Sequence, residues 1–300
     1  MSVPQNKSAY FALVLVFVVL WSSAFAAGKY ALQSSPPMLF LGMRFTLAGL
    51  LLVGYAVATG AFRPVARQNW LRLALLGVLN QAGYQGLAWI AMGTVSSALA
   101  AVITSMNPIF IAFLAVPMLG ERLSVRRLAG LVLGIGGVVI VLNSRITVSG
   151  EDTTGILIMA VSLSSMVLGS VLFKRWRMDV PLAVNVGTQF VSAGLFLFCF
   201  GLAFEDPAAI VWGGQFAWTM AYIVFGVSIG GVGLWFFLLS HGEASDASAL
   251  HFLMPPFGLL FGWIIFGEAV EAGDLIGIVP IAMGIWLATH KRKPAAAIGA

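Results

Sequence analysis

Charge is the scarcest commodity in this sequence. Only 9% of its 300 residues are Asp, Glu, Lys or Arg, against about 25% in an ordinary soluble domain. So few charges cannot solvate a globular surface. Histidine is equally thin, with three residues, and there is a single cysteine, Cys199. One cysteine excludes an internal disulfide framework, and Cys199, inside an apolar run, reads as a small hydrophobe. No span carries two facing acidic residues, which argues against an intramembrane aspartyl protease. Neither a metal-ligand cluster nor a Walker phosphate loop is present, so no cofactor is expected and ATP is not the direct energy source. No group of Lys and Arg lies inside a span to hold phosphates, which argues against sugar-phosphate or nucleotide-sugar cargo.

What is present is apolar: 60% of the residues are hydrophobic and the mean hydropathy is +0.99. The natural solvent is lipid. A helix needs about 20 apolar residues to cross a bilayer, and ten stretches qualify, the fifth being short. They run roughly 10–30, 37–59, 70–92, 96–119, 127–142, 154–173, 181–204, 215–239, 247–266 and 273–289. The runs are continuous rather than alternating, which excludes a lipid-facing barrel. The first is read as a span and not as a cleaved leader, because its apolar run is too long. Connections are short, so the work is done within the membrane. The expected fold class is therefore all-α and integral to the membrane, with ten transmembrane helices.

The basic residues are sorted. With a cytoplasmic N-terminus, Lys7, Arg63, Arg67, Arg72, Arg122, Arg126, Arg127, Lys174, Arg175, Arg177, Lys291, Arg292 and Lys293 fall inside. Only Lys29 and Arg145 fall outside, and Arg44 lies within a span. This positive-inside bias puts both termini in the cytoplasm. It also accounts for the pI near 9.7 through anionic lipid headgroups, without nucleic acid as a partner.

The sequence repeats itself. At a shift of 147, Pro108, Gly120-Glu121, Leu128, Gly130, Val132 and Gly137 fall on Pro255, Gly267-Glu268, Leu275, Gly277, Val279 and Gly284, and Gly86 falls on Gly233. At a shift of 145, Lys29, Phe45 and Ala48-Gly49 fall on Lys174, Phe190 and Ala193-Gly194. Spans one to five thus recur as six to ten. Five is odd, so the second copy crosses in the opposite sense, an inverted-topology repeat of the kind secondary transporters use.

Trp21-Ser22-Ser23-Ala24-Phe25 followed by Lys29, together with Pro108, Gly120-Glu121, Gly130 and their second copies, resembles EamA-type members of the drug/metabolite transporter superfamily. The resemblance covers nearly the whole chain. Length and short loops are most like the YddG-type exporters of aromatic and other neutral amino acids. It implies an EamA-like repeat over residues 1–147 and a second over 148–300. It also implies a cavity enclosed by spans one to four and six to nine, with spans five and ten at the side. The expected protein is a multi-pass inner-membrane transporter of a bacterial cell, a monomer rather than an enzyme, exporting a small neutral amino acid by alternating access. A multidrug exporter of lipophilic compounds is the alternative, and for cations it would want an acidic residue in the cavity. A membrane enzyme or a receptor is more distant.

Polar groups at membrane depth mark the candidate site. Asn80 and Tyr84 share one face of the third span, and Gln81 and Gln85 the neighbouring one. They are read either as a substrate-binding stripe or as interhelical glue. Thr104 and Asn107 precede Pro108, whose ring frees a backbone carbonyl and kinks the helix. Pro255 repeats that kink, with His251 four residues before it. His251 could contact substrate, accept a coupling proton or be structural. Trp21 and Trp235 suit an aromatic-walled cavity, with Trp89 near a helix end as a weaker candidate. Asn185 and Gln189 complete the polar set. Arg44 could hold a carboxylate or snorkel to the near interface. Glu121 and Glu268 are read as capping or orienting the next helix, with a gating contact as the other reading. The glycine rows 130, 134, 137 and 226, 230, 233 read as helix-packing faces.

Overall fold

The computed structural model describes residues 7–120, 125–147, 150–176, 178–231, 234 and 254–289. Among these there are helices and turns but no strand. Helix α1 runs over Lys7–Ala31 and α2 over Pro37–Ala58. The next rod begins as α3, Arg67–Gly77, widens into a π-helical stretch over Val78–Gly86 and ends as α4, Leu87–Ala91. Then come α5, Ser97–Thr104, and α6, Asn107–Leu119, followed by α7, Val125–Thr147, α8, Thr153–Trp176, and α9, Leu182–Phe204. Helix α10, Gly214–Ala221, widens into a second π-helical stretch over Tyr222–Gly231. The last two are α11, Met254–Phe266, and α12, Ala272–Thr289.

Among the described residues, five segments are long and apolar enough to cross a bilayer: 37–58, 97–119, 128–147, 153–176 and 182–204. Three shorter apolar helices, 15–31, 257–266 and 272–284, accompany them. The rods that change winding at residues 78 and 222 are not among them. Large apolar side chains such as Leu71, Val132, Phe204 and Trp218 lie exposed along the bundle. Water would not tolerate that much apolar surface, and lipid does.

Pro108 does not kink a continuous helix. The chain breaks at Ser105-Met106, and Pro108 sits in the first turn of the fresh helix α6. At Pro108 the missing N–H costs nothing, since the first-turn donors have no intrahelical partner. Pro255 is the second described residue of α11, and the stretch before it, where the second kink is expected, lies outside the described residues. The duplicated Gly-Glu pair also has a local cause. Gly120 ends α6 at φ +70° and Gly267 follows α11 at φ +64°, a left-handed conformation that favours glycine.

Two helix pairs hold the bundle at backbone distance. In the pair α2/α9, a Cβ added at Gly42 would lie 2.7 Å from the Phe198 nitrogen, and one at Gly49 would lie 2.8 Å from the Gly187 carbonyl oxygen. A Cβ at Gly194 would stand 3.0 Å from the Gly42 oxygen. The α7/α12 pair behaves alike: Gly137 would meet the Gly277 oxygen at 2.6 Å, and Gly277 the Gly137 oxygen at 2.7 Å. Gly284 would meet the Gly130 oxygen at 2.5 Å. Small faces let apolar helices gain dispersion contact where lipid offers no hydrophobic drive between them. Of the expected glycine rows, 130, 134 and 137 pack in this way. Gly226 and Gly230 face Leu20 loosely, and Gly233 lies outside the described residues.

Carboxylates from the connections cap helices distant in sequence. Glu205 accepts from the Met38 and Leu39 N–H groups at 2.9 and 2.8 Å, and Glu151 from Ser96 at 2.9 Å. Glu268 accepts from the Ser97 and Ala98 N–H groups at 3.0 and 3.2 Å. Each satisfies helix N-terminal donors that have no intrahelical partner. The expectation that Glu268 caps the helix after it is thereby corrected: it caps α5, while Asp274 stands in the first turn of α12. Glu121 lies outside the described residues.

Candidate functional site

A cavity of about 220 Å³ lies between α1, α2, the α3–α4 rod, α8, α9 and the second π-helical stretch. Among the described residues, none from α5, α6, α7, α11 or α12 contributes to its wall.

Its polar wall is the stripe in the third rod. Asn80, Gln81, Tyr84 and Gln85 all line the cavity. The π winding broadens the helix here, and the neighbouring α8 answers with hydroxyls. Ser162 donates to the Tyr84 carbonyl at 2.6 Å and Ser165 to that of Leu79 at 2.9 Å. Gly83 and Gly169 allow this approach, since a Cβ at Gly83 would run into the Ser165 hydroxyl and one at Gly169 into the Asn80 amide. The Asn80 Nδ2 reaches Gln189 Oε1 at 3.5 Å, and Gln189 in turn donates to Asn185 at 2.6 Å. Asn185 and Gln189 are thus a buried polar link behind the wall rather than part of it.

The aromatic wall is made by Trp21, Phe25 and Trp89, with Phe190 below. Trp21 leans on Phe17 with ring centroids 5.5 Å apart, and Trp89 stacks on Phe40 at the same distance. Trp89 is therefore a core residue that presents one edge to the cavity rather than an interface anchor.

Arg44 is where the structure departs most from expectation. It does not snorkel. It is the eighth residue of α2, about 10 Å along the axis from the helix start, it turns inward to line the cavity, and it is 3% exposed. Its Nε donates to the Ser228 hydroxyl at 3.0 Å, and its Nη1 to Gln85 Oε1 at 2.7 Å. Gln85 is held from behind by Gln81 at 2.9 Å. The guanidinium also lies 4.7 Å from the Phe45 ring centroid. Among the described residues, no carboxylate touches it.

Thr104 and Asn107 are buried but are not part of the cavity wall, and neither Thr104 Oγ1 nor Asn107 Oδ1 has a hydrogen-bond partner. Thr104 stands beside the Tyr84 phenol without closing a hydrogen bond to it. Trp235 and His251 lie outside the described residues. Cavity residues that the sequence did not single out include Met92, Met166, Ser170 and Ser228. Only the two serines carried any signal, as isolated hydroxyls in apolar helices.

An all-helical, lipid-compatible fold around an internal polar and aromatic cavity is the anatomy of a membrane transport protein. The chain belongs to the EamA-like transporter family, whose model matches residues 8–143 and again 153–289. It is 30% identical over 301 residues to the uncharacterized transporter YvbV of Bacillus subtilis, covering 99% of this chain and 96% of that one. A 26% identity over 296 residues relates it to the S-adenosylmethionine/S-adenosylhomocysteine transporter of Chlamydia muridarum, covering 93% of this chain and 92% of that protein. It is also 24% identical over 281 residues to the uncharacterized inner membrane transporter YedA of Escherichia coli strain K12. A solved crystal structure shares the fold with a TM-score of 0.66 at 20% identity, over 95% of this chain and 97% of that one.

Proposed function

We propose that this transporter moves small neutral amino acids, aromatic ones among them, across a bacterial inner membrane by alternating access. The observation that carries the reading is the cavity itself. It sets an aromatic wall against a strip of neutral hydrogen-bonding groups, which suits a molecule with one apolar and one polar end. At about 220 Å³ it falls below the roughly 300–1,000 Å³ of pockets that hold drug-sized ligands. Among the described residues, no carboxylate lines the cavity to meet a lipophilic cation, which weighs against the multidrug alternative. The Chlamydia relative is named for S-adenosylmethionine and S-adenosylhomocysteine, two molecules that also carry an α-amino acid end and an aromatic ring.

The same proposal takes the chain as ten spans in two inverted repeats, 1–147 and 148–300, with both termini cytoplasmic, acting as a monomer. Two observations support the repeat. The family model matches twice, and the glycine contacts are reciprocal. Gly137 corresponds to Gly284 and Gly130 to Gly277, so the contacts 130–284 and 137–277 are one contact made twice. The α2/α9 contacts 49–187 and 42–194 repeat the pattern, with Phe45 and its counterpart Phe190 meeting at 5.2 Å. Such self-complementary pairing is what a two-fold axis produces.

Uptake of labelled tryptophan, phenylalanine, threonine and glutamate into proteoliposomes, with and without a pH gradient, tests the function. The expected result is uptake of the neutral amino acids and not of glutamate. Acceleration by the gradient, abolished in His251→Ala, assigns proton coupling to that histidine. No uptake of any amino acid overturns the reading in favour of another metabolite or drug.

A further inference from the structure

We infer that Arg44 is a carboxylate anchor, so that substrates must bring a carboxylate into the cavity and amines lacking one are excluded. This rests on the reading of the cavity as the transport site and names the chemical group that site selects.

A buried guanidinium is normally neutralised. The other buried arginine, Arg145, has Asp274 at 2.6 Å and Glu151 at 3.9 Å. Among the described residues Arg44 has no carboxylate partner, and its burial keeps it from headgroups. Its hydrogen bonds go to a serine and a glutamine, and these use two of its five N–H groups. The remaining donors belong to a residue that lines the cavity. An ionised group taken out of water without a counter-charge costs several kcal/mol, and a ligand carboxylate would repay that through charge-assisted bonds in a fork geometry. The surroundings point the same way. Gln81 holds Gln85, Gln85 and Ser228 hold the guanidinium, and the Phe45 ring packs against it. The cation is thus held by neutral partners, and among the described residues no carboxylate stands beside it. Tyr84, on the same wall, adds a phenol that can donate to the same carboxylate.

The test uses the full-length protein in proteoliposomes and labelled phenylalanine as the probe. Unlabelled 3-phenylpropionate keeps the carboxylate and loses the amine; phenylalaninamide does the reverse. The expected result is that 3-phenylpropionate competes and phenylalaninamide is about tenfold weaker or worse, the loss matching one hydrogen bond to a charged group. Arg44→Gln should raise KM for phenylalanine by a similar factor and erase the difference between the two competitors, while Arg44→Lys retains part of it. A purely structural Arg44 would lower folded yield without changing the competitor ranking. Equal competition by the amide in the wild type overturns the anchor and leaves the amino-acid reading intact. If the wild type takes up no phenylalanine, that reading fails, and the anchor is decided by heat stability of the purified protein with 3-phenylpropionate. A rise in unfolding temperature in the wild type but not in Arg44→Gln upholds it, and no rise in the wild type overturns it.

Discussion

Lys29 at the end of α1 and Glu268 after α11 are joined at 2.8 Å, although 239 residues separate them. The same carboxylate accepts from the Ser97 hydroxyl at 3.0 Å and from two N–H groups opening α5. One side chain thus ties three helices together. Burial alone pushes the Glu268 carboxyl up and is the largest single influence. The Lys29 ammonium and the Ser97 and Ala98 N–H groups together bring it below the ordinary carboxylate range. A carboxylate depressed on folding contributes stability that is fully present above its unfolded pKa and is lost as pH falls toward the folded one. The contribution of Glu268 is therefore constant at neutral pH and declines below about 4.3. Glu268→Gln should lower stability by about 1–2 kcal/mol, as lost helix caps do, and flatten that acid limb. Thermal unfolding of the purified protein between pH 3 and 7 measures both; an unchanged acid limb in the variant refutes the assignment.

Arg145 and Asp274 clamp α7 to α12 in a two-pronged pair, Nε to Oδ1 at 2.9 Å and Nη2 to Oδ2 at 2.6 Å. Both side chains are almost wholly buried. Removing one partner strands a charge, so Asp274→Asn should cost about 3–5 kcal/mol. The double change Arg145→Met, Asp274→Leu should recover part of that, because the apolar pair removes both of its charges and leaves only Glu151, which keeps its bond from the Ser96 N–H. Unfolding temperatures of the single and double variants decide it.

The glycine faces give a graded series. Gly137→Val and Gly194→Val place side-chain atoms against backbone in a neighbouring helix, at 2.6 Å from the Gly277 oxygen and against the Thr46 amide. Both should sharply reduce the folded yield in gel filtration. Gly54→Val meets nothing within 4 Å and should behave as wild type. Equal yields across the three would refute the close pairing.

Gly169→Ala separates folding from function. The three atoms nearest its new methyl group all belong to the Asn80 side-chain amide, which can rotate toward the cavity. Unfolding temperature should change little, while KM for a transported amino acid rises several-fold. In contrast, Gly77→Ala meets the Gln189 carbonyl oxygen of α9 and should lose stability instead.

Topology is open to direct labelling. On a Cys199→Ala background, which removes the exposed cysteine on α9, Ser2→Cys and Gly299→Cys should react with an impermeant maleimide only from the cytoplasmic side. Labelling from opposite sides would overturn the even number of spans.

Much of this was legible in the sequence for simple reasons. Polar residues four apart in an apolar helix have few places to go, and Asn80 with Tyr84 and Gln81 with Gln85 do share one cavity wall. Gly120 and Gly267 announced helix ends. The exceptions to the charge sorting, Lys29 and Arg145, turn out to be ion-paired, so each carries little net charge. What could not be read depends on packing across the chain. Whether Arg44 snorkels or turns inward is decided by Ser228 and Gln85, 184 and 41 residues away. The capping of α5 by a carboxylate 171 residues later has no local signature. The π winding at residues 78–86 is offset by α8 serines that no periodicity connects to it.

The reciprocal glycine faces also set an order of assembly during synthesis. Helix α2 leaves the ribosome long before α9, and α7 before α12, yet each finds its backbone-distance partner only in the later helix. Until then its smooth glycine surface faces lipid. Gly277 and Gly284 lie on the last helix described, so the α7 face is sealed only after that helix has been made. The nascent first half is thus a waiting intermediate, and a ribosome that stalls between the halves leaves two unclosed seams for quality-control proteases to find.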